Sequence, residues 1–108
     1  MKLDIYENKK IVKTYEASEY DLMFGTLEDV AEAVKIDELQ TGSDVEIIKL
    51  VGKAVMTSMD TVKGFLMDIF DGITEDEIRR AKVSDIAVVL LDVVKYTILR
   101  LRSLNSKN

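Results

Sequence analysis

Apolar and polar positions alternate at the start of the chain. "KLDIY" and "KIVKTYE" are β-rich segments separated by "ENKK", with Asn8 in the gap. Alternating Leu3 and Ile5, answered by Ile11, predict a β-hairpin. "ASEYDLMFG" reads two ways: Ser18 can cap a helix, or Tyr20, Leu22 and Phe24 can continue as alternating strand. Thr26, followed three residues later by Asp29, resembles a capped start for a short helix over "LEDVAEAVK". "LQTGSD" predicts a loop, closed by a capping box of Ser43 and Glu46.

From there the period becomes helical and runs for about 25 residues, through "VEIIKLVGKAVMTSMDTVKGFLMDIF". At about 100° per residue, Ile48, Val51, Val55, Met59, Val62, Leu66 and Ile69 fall on one stripe. That predicts one long helix with this stripe as core. Ala54 and Ser58 lie beside it, small enough to admit a neighbouring helix. Met56 and Met67 fall off the stripe, where adaptable methionines suit a binding surface.

The segment "FLMDIFDGITEDEIRRAK" crowds charge after the long helix and admits three readings: a metal loop, a DNA-reading joint, or a hinge. The calcium reading fails on spacing. With Gly72 at the sixth position of an EF-hand loop, positions 1, 3 and 12 become Met67, Ile69 and Ile78, three aliphatic side chains where oxygen ligands are needed. A hinge accounts for every residue. Gly72 supplies a left-handed conformation, and Thr74 with Glu77 forms a second capping box. Glu75, Asp76 and Glu77 occupy a first turn, and Arg79, Arg80 and Lys82 the end, as the helix dipole favours.

The last predicted helix, "SDIAVVLLDVVKYTILRLRSL", is apolar nearly all round. Opposite Asp92 stand Ala87, Leu90, Val94, Thr97 and Leu101, flanked by Ile86, Leu91, Val93, Ile98 and Leu104. Yet Val88, Val89, Tyr96 and Leu99 fall on the same side as Asp85, Asp92 and Lys95. Two readings follow: the rest of the fold encloses this helix completely, or part of its surface meets another protein. On the second, the partner-binding residues are Val88, Val89, Tyr96 and Leu99, with Met56 and Met67.

The expected fold class is mainly α within α+β: an N-terminal β-hairpin, a short helix, one long helix, a short helix and a long apolar C-terminal helix. A chain of 108 residues is the size of one domain, 1–108, with 103–108 expected to fray. The longest apolar run, "IAVVLL" at 86–91, is far short of the roughly 18 residues a membrane span needs. Charges fill "MKLDIYENKK" where a signal peptide is apolar, which points to the cytoplasm and no membrane partner. The chain contains no cysteine, histidine or proline, which argues against disulfides, thiolate nucleophiles and the usual zinc and iron sites, so no cofactor or metal is expected. Paired carboxylates such as Asp68 and Asp71 are better explained as a solvated helix end than as acid/base catalysts, and the chain is read as no enzyme. The net charge of −5 repels phosphate backbones and argues against nucleic acid as partner.

Two segments carry a family resemblance. "EYDLMFGTLEDVAEAVKIDEL" at 19–39 and the region 65–94 resemble the small tail assembly chaperones of tailed bacteriophages and prophages. In that family a "FGT" type signature precedes a short helix and an Ile-Asp pair, here Phe24, Gly25, Thr26, Ile36 and Asp37. A later "FxGxT(D/E)(D/E)E" signature links two helices, here Phe70, Gly72, Thr74, Glu75, Asp76 and Glu77. Asp71 stands where the family pattern has proline. The resemblance covers about half the chain, and both motifs consist of caps and packing residues. It implies a cytoplasmic, homo-oligomeric protein, absent from the mature virion, that binds the helix-rich tape measure protein and keeps it soluble until the tail tube assembles. Alternatives are a small helical DNA-binding regulator using residues 73–104, or another oligomeric adaptor.

Overall fold

The computed structural model describes residues 1–35, 41 and 43–105, with side chains described as far as Arg100. The predicted pair 36–37, half of the predicted loop and the end of the expected frayed tail lie outside the described residues. Two strands, β1 (Lys2–Glu7) and β2 (Lys10–Glu16), form an antiparallel hairpin. Asn8 and Lys9 both have positive φ, at 52° and 66°. That is the two-residue turn whose twist matches paired strands.

A bulge interrupts the ladder where Ile5 pairs with Lys13 but Tyr6 pairs with Ile11. The extra residue in β2 reverses its alternation. Leu3, Ile5 and Tyr15 point inward and are buried, while Ile11 is exposed, against the expected alternation.

Ser18 does cap, but only a single 3-10 turn over Glu19–Asp21, by accepting from Tyr20 N at 3.2 Å. Helix α1 (Phe24–Val34) starts two residues before the expected cap: Met23 takes that position without a side-chain bond, and Thr26 is buried inside the first turn. It ends at Lys35, in the left-handed conformation. Ser43 caps α2 (Asp44–Thr57) as expected, accepting from Glu46 N at 3.3 Å, and the Glu46 carboxylate accepts from Thr41 N at 2.9 Å.

The expected single long helix is two. Helix α2 stops at Thr57, Ser58 takes φ −136° and ψ 52°, and α3 (Met59–Ile69) follows. At the end of α2 the Thr57 hydroxyl donates back to Lys53 O at 2.7 Å. A straight rod of this length would reach about 39 Å, whereas the break lets α2 lie on the last helix, α5 (Val83–Asn105), while α3 packs against α1 and the short α4 (Glu75–Arg79).

Helix α4 (Glu75–Arg79) is short and carries the complete capping box of Thr74 and Glu77. Helix α5 (Val83–Asn105) is the axis of the fold: α1, α2 and β1 all pack on it. Its helical backbone reaches into the tail expected to fray at 103. Val93 and Val94 have no exposed surface, and neither do Leu3, Ile5 and Leu66. No helix among the described residues is long and apolar enough to cross a membrane.

Candidate interaction surface

The charged segment after α3 holds the hairpin to the helices. Phe70 ends α3, is 1% exposed, and meets the Tyr15 ring at 6.3 Å between centroids. Ile73 N donates to Phe70 O at 3.2 Å across a tight turn, and Gly72 in that turn has φ 84°, which a side chain would strain. Glu77 does more than cap. Its Oε1 accepts the Tyr15 hydroxyl at 2.6 Å and Thr74 N at 3.1 Å, and its Oε2 lies 3.5 Å from Lys13 Nζ. One carboxylate thus ties β2 to the start of α4. A backbone bond from Tyr6 N to Arg80 O, 3.0 Å long, ties β1 to the end of that helix. Lys63 and Glu75, 2.9 Å apart, join α3 to α4.

The Tyr15 hydroxyl, then Thr74 and Lys13, hold the Glu77 carboxyl at a pKa of about 2, below its usual 4.5. A carboxylate with a depressed pKa stabilises the fold above its ordinary value and loses that contribution as pH falls toward the lower one. Stability is therefore expected to fall between about pH 4.5 and pH 2 as Glu77 protonates. In Tyr15→Phe, thermal unfolding followed by circular dichroism should show a lower midpoint at pH 7 and a weaker dependence across that window. An unchanged acid dependence would remove this role from the Tyr15 and Glu77 pair.

The predicted partner residues separate. Val88 and Leu99 are exposed, at 56% and 64%, and Met56 and Met67 are exposed as well. Tyr96 is half-buried, edge-on to Tyr20 at 6.0 Å with Arg100 over its ring at 5.7 Å. Val89 is 1% exposed and belongs to the core, so it is corrected from partner contact to packing residue. Its neighbours Ile86, Leu90 and Val93 are buried with it, because the core covers a wider arc of α5 than the side opposite Asp92 alone. Among the described residues of α5, Val83, Ser84 and Arg100 are also outward, and one row holds Val88, Asp92, Lys95 and Leu99, in which two charges separate two aliphatic side chains. Lys95 in that row pairs with Asp44 at the start of α2, 3.2 Å away.

A further outward apolar row is on α2. Ile47, Val51 and Ala54 face inward. Val45, Ile48 and Met56 face outward, 62%, 55% and 82% exposed, with exposed Gly52 in the same row. The break at Ser58 explains the difference from the expected stripe. A continuous helix ties the phase of its first half to Val62, Leu66 and Ile69, whereas a separate α2 turns by about 65° to put Ile47 and Ala54 inside. Ile48 and Met59, expected in the core, become surface, and Val55 is only partly buried. A second outward group, Tyr20, Met23 and Phe24, lies at the start of α1 beside Tyr96. The sequence signal for the α2 face was present in "VEIIKLVGKAVM", where apolar residues occupy adjacent positions and leave two possible inner faces.

Asp68 and Asp71 are both exposed. Asp68 borders an open groove with Asp29 and Glu32 between α1 and α3, and Asp71 is not among its walls. Comparison of the chain with protein-family models, with curated proteins and with solved structures finds no match in any of the three.

Proposed function

We propose that this chain is a tail assembly chaperone of a tailed bacteriophage or prophage, an interaction protein that covers apolar helical faces of the tape measure protein until the tail tube forms. The observation that carries the reading is the outward row Val45, Ile48 and Met56 on α2, backed by Val88 and Leu99 on α5. Monomeric proteins rarely leave contiguous apolar faces in water, because such faces drive association. A chaperone for a long helical client needs an apolar surface repeated over many copies, each binding weakly and acting together through avidity. The motif residues Phe70, Gly72, Thr74 and Glu77 support the reading indirectly, as the joint that holds the hairpin against the helices. The DNA-binding alternative draws less support, since the described outward side chains of α5, Val83, Ser84, Val88, Asp92, Lys95, Leu99 and Arg100, include two bases but no run of basic and amide side chains.

Co-expression tests the reading. The tape measure protein of the same virus is expected in the soluble fraction with this chain and in the pellet without it, and the purified chain should sediment as a homo-oligomer. A chain that stays monomeric at high concentration and leaves the tape measure insoluble would overturn the proposal.

A further inference from the structure

Three observations on α2 converge on one kind of occupant. The first is the outward apolar row itself: Val45, Ile48 and Met56 recur with helical spacing along one side of a 14-residue helix. The second is Gly52 in the middle of that row. Glycine in a helix interior is unfavourable by about 1 kcal/mol relative to alanine. A Cβ added at Gly52 would meet nothing within 4 Å among the described residues, so packing against them does not require glycine there. A bare backbone on an apolar row is what lets a second helix cross at short distance. The third is charge. Lys49 and Lys53 border the row, and neither is ion-paired among the described residues. The two carboxylates at the start of the same helix are engaged elsewhere: Asp44 with Lys95, and Glu46 with Thr41.

We infer that the outer face of α2 seats an apolar helix whose stripe is flanked by carboxylates, crossing closest over Gly52. This rests on the chaperone reading and specifies the chemistry of the client segment that α2 takes. The carboxylates pair with Lys49 and Lys53 at the rim, where charge selects the partner and its orientation, while the apolar row supplies the attraction. The protein as a whole carries a net charge of −5 and repels acidic ligands at long range, so a preference for an acid-flanked helix can come only from local charge.

Two synthetic peptides of about 20 residues, long enough to be helical, test this. Both carry the same apolar stripe, one flanked by glutamates and the other by lysines, and binding to the full chain is read by fluorescence anisotropy. The glutamate peptide is expected to bind at least about tenfold tighter, and the double variant Lys49→Glu with Lys53→Glu should reverse the order. Gly52→Leu should weaken the glutamate peptide by about tenfold while the melting temperature holds or rises, because leucine is the better helix former and its Cβ has open space. Equal binding of both peptides, no reversal in the double variant, or full binding by Gly52→Leu would overturn the inference. So would sedimentation showing that a second copy of this chain already covers the row, with Ile48→Gln dissociating that pair and neither peptide competing. If the peptides behave as expected but the tape measure stays insoluble, the surface stands and the tail-chaperone reading falls.

Discussion

Phe70→Ala is expected to destabilise the protein by about 3–5 kcal/mol, against the 5–15 kcal/mol that holds a typical domain together. Phe70 is among the largest fully buried side chains described, and it stands where three parts of the fold meet. It ends α3 by donating its N–H to Leu66 O at 2.9 Å, accepts Ile73 N in the turn, and backs the Tyr15 ring that orients the Glu77 bond. Removing the ring leaves a cavity beside Leu66 and Tyr15 and loosens the surface on which the hairpin docks. Urea unfolding should show a midpoint lowered by a large fraction of its original value with little change in slope. A shift equivalent to less than about 1 kcal/mol would mean that the joint is not the anchor the geometry indicates.

The second large effect is on binding, with the fold left intact. Val45, Ile48 and Met56 are each more than half exposed, so replacing all three with glutamine removes apolar surface that this chain does not use for its own core. Glutamine is also a good helix former, and surface changes of this type move stability by roughly 0.5 kcal/mol or less apiece. If the row docks a client helix, the three losses together cost about 3 kcal/mol of association, more than a hundredfold in affinity per site. Because many copies act on one client, the loss multiplies, and co-expressed tape measure should return to the pellet. Circular dichroism and urea unfolding check that the triple variant is folded. A folded triple variant that still keeps the client soluble would move the docking surface elsewhere, first to Val88 and Leu99 on α5 or to Tyr20, Met23 and Phe24 at and just before the start of α1.

Local chemistry was legible wherever neighbouring residues decide the structure. The hairpin, the Ser43 cap, the positive φ of Gly72 and the box of Thr74 and Glu77 each depend on a few consecutive side chains, and each is where the residues place it. The inner side of α5 was legible for a related reason: an apolar row containing Leu90, Val94 and Thr97 has one inward solution, opposite Asp92. That the chain folds as a hairpin followed by helices therefore follows from short-range capping and periodicity, which act within a turn or two of each residue.

Rotation, registry and long-range pairing needed the folded chain. The bulge that turns Ile11 outward depends on how two strands meet, not on either strand alone. The break at Ser58 depends on α2 and α3 finding different neighbours, and it settled which of Ile47 and Ile48 is core. Val89 became core because other elements cover that side of α5, and Glu77 became a tie because Tyr15, sixty-two residues away, arrives beside it. A helix with two apolar sides carries no internal instruction for choosing between them. The choice is made by the total apolar area that all elements bury together, a quantity that exists only once they are packed.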